Sequence, residues 1–245
     1  MSISELIPVL RTLTSERVSF DTSLASIIDH TLLLPETTRQ QIEQLCDEAK
    51  AYGFATVCVN PSYVEMCARR LNGSKVKVCT VIGFPLGATS SHAKALEATQ
   101  AIKDGAQEVD MVINIGMLKS GEDSFVLSDI QSVVAVAKQH RVLTKVILET
   151  ALLNAEEKTR GCTLAKEAGA DFIKTSTGFA NGGATVDDIR LIRNAVGASM
   201  GVKASGGIRT HSQAQSLIQA GADRIGASLS VQIVTEYNDP RASEY

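Results

Sequence analysis

Two lysines dominate the chemistry this sequence could perform. Each closes a short apolar run that reads as a buried parallel strand: Asp171-Phe172-Ile173-Lys174 and Gly201-Val202-Lys203. An ammonium group at a buried strand end carries a desolvation cost, and two on neighbouring strands also repel each other. A lysine with an ordinary pKa near 10.4 is almost fully protonated at neutral pH, so a nucleophilic amine needs a downward shift of roughly 3 units, about 4 kcal/mol. Two ammonium groups about 5 Å apart at an effective dielectric near 20 repel by roughly 3 kcal/mol, and partial burial adds to that. The pair suits a carbonyl-attacking amine and a cation that keeps it uncharged and shuttles protons. We assign the first part to Lys174 and the second to Lys203, although the residues alone permit the exchange.

Other polar residues fall at comparable positions. Asp110 puts a carboxylate into the apolar run Glu108-Val109-Asp110-Met111-Val112, and Lys145 and Glu149 share one side of the following run and are expected to line the same cavity. Asp29 and Thr31, at the end of the first run, could hydrogen-bond a substrate hydroxyl. The turns Ser205-Gly206-Gly207 and Gly226-Ala227-Ser228 precede helix-forming sequence and suit backbone binding of a phosphate. Cys58 reads as a small core residue, and His30, His92, His140 and His211 as surface or cap residues.

The elements that must position these groups alternate eight times. Strands are expected over 24–30, 55–60, 76–83, 108–114, 142–150, 171–176, 201–204 and 224–227, and helices over 38–52, 92–105, 129–140, 155–169, 186–196 and 211–221. No Pro-rich linker or charge block interrupts the alternation, so it predicts a single (β/α)₈ TIM barrel of the α/β class over 24–236. A helical extension over 1–23, with its helix at 3–16, and a mobile tail over 237–245 complete the expected organisation. Gly-x-Gly-x-x-Gly is absent after the first strand, which disfavours a dinucleotide-binding sheet. The phrase Ala-Gly-Ala-Asp occurs twice, at 168–171 and 220–223.

Composition narrows the function. The 245 residues are 44% hydrophobic with a net charge of −3, enough apolar content for a large core and no basic stripe to recruit nucleic acid or an anionic membrane. Five cysteines form no C-x-x-C pair, and the four histidines form no H-E-x-x-H motif. Reduced thiols, a cytoplasmic setting and chemistry without metal or organic cofactor are expected.

The motifs Asp29-His30-Thr31-Leu32-Leu33, Val57-Cys58-Val59-Asn60-Pro61, 80–87 from Thr80 to Gly87, Glu108-Val109-Asp110-Met111-Val112, Phe172-Ile173-Lys174-Thr175-Ser176-Thr177-Gly178 and Val202-Lys203-Ala204-Ser205-Gly206-Gly207 appear in one order. In that order the chain resembles the deoxyribose-phosphate aldolases, class I aldolases on a (β/α)₈ barrel, from about Ile27 to Val234. The resemblance implies Lys174 as the Schiff-base lysine, Lys203 as the second lysine and Asp110 as the acid/base working with it, which closes the exchange left open above. It also implies substrate contacts from Thr31, Cys58, Thr177, Gly178, Gly206, Gly207, Gly226 and Ser228, alongside Asp29 and Lys145, and a proton-shuttling role for Tyr245. By the same likeness the substrate is 2-deoxy-D-ribose 5-phosphate, cleaved reversibly to acetaldehyde and D-glyceraldehyde 3-phosphate in deoxyribonucleoside catabolism, and a homodimer is the expected assembly. Phe179 stands where one branch of the family has a phosphate-contacting lysine, and Leu229 where it has a serine. Rival readings are another Schiff-base barrel, such as a transaldolase, and a catalytically silent sugar-phosphate-binding barrel.

Overall fold

Short apolar runs separated by helical stretches cannot pair as hairpins, so each crossover returns the chain parallel to the strand before it. In the computed structural model, which describes residues 19–236, the crossovers close a ring. Among the described residues, β1 (Ile28–Leu32), β2 (Thr56–Val59), β3 (Lys77–Ile82), β4 (Glu108–Val112), β5 (Leu143–Ile147), β6 (Phe172–Lys174), β7 (Gly201–Ser205) and β8 (Arg224–Ala227) pair in sequence order, and β8 pairs with β1. The fold is the expected (β/α)₈ barrel. The helix expected at 3–16 and the tail carrying Tyr245 lie outside the described residues.

Helices α1 (Thr22–Ala25), α2 (Arg39–Tyr52), α3 (Val64–Arg70), α4 (Ser91–Lys103), α5 (Ile115–Lys119), α6 (Asp123–Gln139), α7 (Ala155–Ala168), α8 (Val186–Val196), α9 (His211–Gln219) and α10 (Ser230–Thr235), with short 3-10 turns at Pro61–Tyr63, Thr150–Leu152 and Gly197–Ser199, complete the described elements. The first strand starts later than expected. Asp21 accepts the Leu24 N–H at 2.9 Å and caps α1, so Leu24 and Ala25 are buried from a helical turn instead. Helix α6 starts earlier than expected, because the apolar stripe of Val126, Ile130, Val133, Val134 and Ala137 already runs through its first turns. The expected fifth strand ends early as well: Glu149 turns into the left-handed region at φ +58°.

Outward-facing strand residues such as Val57, Val109, Ile173 and Val202 pack with the helices into one large core, while Leu33, Cys58, Cys79 and Val81 form a separate small cluster beside Phe84. The repeated Ala-Gly-Ala-Asp phrase has a structural use. Asp171 accepts the Thr144 N–H at 2.8 Å and Asp223 the Val202 N–H at 2.9 Å, so each carboxylate caps the start of the preceding strand. Lys94 and Asp129 form a buried ion pair at 2.5 Å between α4 and α6, and Lys94 also donates to the Val112 carbonyl at 2.9 Å.

Candidate active site

Period-two alternation turns alternate residues of every strand inward, and at the centre of this barrel the inward residues are charged. In the register, Lys174 lies beside Lys203 and Asp110 beside both Val81 and Lys145. Lys174 Nζ donates to Asp110 Oδ2 at 2.9 Å and Lys203 Nζ to the same oxygen at 2.8 Å. The two nitrogens therefore lie no farther apart than the sum of those distances. Lys145 donates to the other oxygen, Oδ1, at 2.9 Å, and the Cys79 thiol also reaches Oδ1 at 3.2 Å. Asp110 is fully enclosed by the cations of three strands.

A second layer lies beneath. Lys203 pairs with Asp29 Oδ2, and Arg224 holds Asp29 Oδ1 at 2.6 Å and Glu108 Oε2 at 3.4 Å. Lys145 also pairs with Glu108 Oε2 at 2.5 Å. Burial by itself would push the Asp110 and Asp29 carboxyls up, but the surrounding ammonium groups, with the Arg224 guanidinium on Asp29, outweigh it and hold both well below the usual carboxylate range. Burial would likewise push Lys203 and Lys145 down, and the facing carboxylates reverse that, raising both above the ordinary lysine value. The facing carboxylates favour the charged form of Lys203.

Above this cluster opens a cavity of about 250 Å³ at the C-terminal ends of the strands, the end where (β/α)₈ barrels carry their sites. Its lining includes Thr31, Thr177, Gly178, Gly206, Gly207, Gly226 and Ser228, and Lys174 is the only charged side chain among its described lining residues. Asp110 and Lys203 stand behind Lys174, out of direct reach of the cavity. Asp29, Cys58 and Lys145 are fully buried beneath it; Cys58 sits in register with Cys79 on the next strand. Glu149 does not line the cavity with Lys145 as expected. Its carboxylate is buried against the loop after β6, accepting the Thr177 N–H at 3.2 Å and the Thr177 hydroxyl, so that its left-handed backbone serves to hold that loop.

The glycine turns are shaped by necessity at two positions. Gly206 has φ +88°, and a Cβ there would meet the Gly183 Cα at 3.1 Å; a Cβ on Gly226 would meet the Lys203 Cε at 3.0 Å. Phe179 lines the cavity half-exposed and meets Phe84 edge-on, ring centres 5.2 Å apart; Leu229 is exposed at the start of α10. His30 departs from its expected surface position. It is buried on the outer side of β1, hydrogen-bonded to Ser230 at 3.0 Å and Glu48 at 2.8 Å, and burial pushes it below the usual imidazole value despite Glu48.

Sequence reasoning passed over Glu108, Arg224 and Cys79. Period-two counting could have found the first two, since Glu108 stands two residues before Asp110 and Arg224 two before Gly226. Cys58, Cys79 and Asp110 come within metal-ligand range of one another, as do Asp29, Cys79 and Glu108, yet ammonium or guanidinium groups already occupy each of those carboxylates.

Lysine amines converging on one carboxylate at the mouth of a parallel barrel define a class of protein, the aldolases that work through an amine rather than a metal. The chain belongs to the DeoC/LacD aldolase family, whose model matches residues 23–234. It is 60% identical over 212 residues to a deoxyribose-phosphate aldolase 1 of Oceanobacillus iheyensis, covering 86% of this chain and 96% of that one. It is 56% identical over 222 residues to a deoxyribose-phosphate aldolase of Thermoanaerobacter sp. (strain X514), covering 90% of this chain and all of the relative. A tetrameric structure of deoxyribose phosphate aldolase from Aeropyrum pernix superposes with a TM-score of 0.84 at 35% identity, over 89% of this chain and 92% of that one. Among the described residues, no helix is long and apolar enough to cross a membrane.

Proposed function

We propose that this chain cleaves 2-deoxy-D-ribose 5-phosphate reversibly to acetaldehyde and D-glyceraldehyde 3-phosphate through a Schiff base on Lys174. One observation carries the assignment of the nucleophile: Lys174 alone among the clustered cations reaches the cavity. The amine adds to C1 of the open-chain sugar, and loss of water leaves a protonated imine. The C3 hydroxyl gives up its proton, the C2–C3 electron pair moves into the imine, and C3 leaves as the aldehyde carbon of the three-carbon phosphate. The resulting enamine takes a proton at C2, and hydrolysis of the imine returns acetaldehyde and free Lys174.

Asp110 with Lys203 handles the proton traffic through a water that bridges to the cavity, and Asp110 accepts from both lysines through one oxygen. The turns at Gly206-Gly207 and Gly226-Ser228 receive the phosphate through backbone N–H groups, and Gly178 and Ser228 complete that end. Thr31 meets a sugar hydroxyl, and the small cluster around Cys58 flanks the two-carbon end. The setting we propose for this activity is deoxyribonucleoside breakdown in the cytoplasm. We propose a homodimer, which light scattering distinguishes from the tetramer described for the Aeropyrum pernix relative.

Reduction with borohydride in the presence of 2-deoxy-D-ribose 5-phosphate, followed by peptide mapping, is expected to place one adduct on Lys174, with acetaldehyde released in the unreduced reaction. An adduct elsewhere, or release of a different aldehyde, defeats the proposal. Phe179 leaves the phosphate end without a cation from that side. Phe179→Lys is therefore expected to lower KM about tenfold for the phosphorylated sugar, the worth of one charge-assisted hydrogen bond, while leaving KM for 2-deoxy-D-ribose unchanged. An unaltered ratio of the two constants would count against phosphate binding at this wall.

A further inference from the structure

The charges at the barrel centre add up in a way the reaction described above does not use. Lys174 is faced by a charged or titratable group from every other strand: Asp29 on β1, Cys58 on β2, Cys79 on β3, Glu108 and Asp110 on β4, Lys145 on β5, Lys203 on β7 and Arg224 on β8, with Glu149 beyond the end of β5. Four of these are buried carboxylates; Glu149 is spent on the Thr177 loop, and the three inside the ion-pair network, Asp29, Glu108 and Asp110, meet three cations there, Lys145, Lys203 and Arg224. These six balance among themselves. Within that buried network a proton on Lys174 is the one charge in excess.

We propose that Glu108 and Arg224, which touch neither the cavity nor Lys174, are positioning residues that set this balance and so determine how readily Lys174 sheds its proton. The inference rests on the reading of Lys174 as nucleophile. Glu108 holds Lys145 against Asp110 Oδ1, which leaves Oδ2 to be shared by Lys174 and Lys203. Arg224 holds Asp29 Oδ1, which leaves Asp29 Oδ2 to Lys203. Removing the Glu108 charge gives the cluster a positive excess and expels the Lys174 proton; removing the Arg224 charge gives a negative excess and retains it. The two single changes have opposite signs. A residue that merely supported the fold would have no reason to behave so.

The rate of inactivation by acetaldehyde plus cyanoborohydride reads imine formation without a titrating phosphate, and its acid limb reports protonation of the attacking amine. Glu108→Gln is expected to move that limb about one pH unit lower and Arg224→Gln about one unit higher, the effect of one unit charge about 10 Å away at an effective dielectric near 20. The double variant is expected to return to the wild-type limb, and the charge-preserving Glu108→Asp and Arg224→Lys to stay on it. Limbs that move together, do not move, or fail to return in the double variant overturn the proposal. If a single variant does not fold, the half-exposed Lys77, 3.7 Å from Glu108 Oε1, offers a second route: Lys77→Glu at low ionic strength is expected to shift the limb upward, and no shift would equally overturn it. Mapping the reduced adduct separates the two levels of argument. An ethyl group on another lysine removes the nucleophile assignment, whereas an ethyl group on Lys174 with unmoved limbs removes only the charge balance.

Discussion

Lys174→Ala is expected to lose turnover by a factor on the order of 10⁴ or more while remaining folded, because it removes the electron sink itself. No neighbour can take over. Lys203 is fully buried and bound to Asp29 and Asp110, and Lys145 is fully buried and bound to Glu108 and Asp110, so neither has a path to the cavity. The variant leaves Asp110 with two cationic partners and takes one positive charge from a cluster that has one to spare. Thermal unfolding is therefore expected near the wild-type midpoint, and borohydride is expected to trap nothing. Retained cleavage in a folded Lys174→Ala protein would remove the assignment.

Lys203→Leu is expected to lower kcat/KM at neutral pH by about 10²- to 10⁴-fold, the range associated with loss of a positioned proton carrier. It also strips a positive charge from beside Lys174 and leaves Asp29 and Asp110 each short of one partner. The Lys174 amine then keeps its proton to higher pH, so part of the lost rate is expected to return when the pH is raised toward 9. Breaking the buried pairs costs about 3 to 5 kcal/mol, readable as an earlier urea midpoint. Activity and stability thus fall together, but only activity should recover with alkalinity under conditions where the variant stays folded. A loss that is the same at pH 7 and pH 9 would mean that Lys203 does not influence the charge of its neighbour.

Much of this arrangement is legible in the chain because a parallel barrel obeys simple periodicities. Eight alternations of strand and helix with no break lead to closure, and period two within a strand carries Lys174, Lys203 and Asp110 to one side. The same counting carries Glu108 and Arg224 inward, though a charged residue at the start of a strand looks like a solvated end until the ring around it is closed. Lys145 and Glu149 part where the alternation stops. They alternate correctly for one face, yet the strand stops at Ile147, and Glu149 enters a left-handed turn that carries its carboxylate to Thr177. His30 also misleads as text, since nothing adjacent in sequence announces Glu48 on the next helix or Ser230 at the far end of the described chain.

By itself the sequence determined the barrel, the strand ends that hold chemistry and the identity of the paired lysines, because hydrophobic periodicity and glycine turns are local properties written residue by residue. Only the tertiary structure decided which amine faces the cavity and which is enclosed behind it by two carboxylates. That division depends on distances among side chains from six of the eight strands, and on a count of buried charges that exists only once the ring has closed and water has been excluded from its centre.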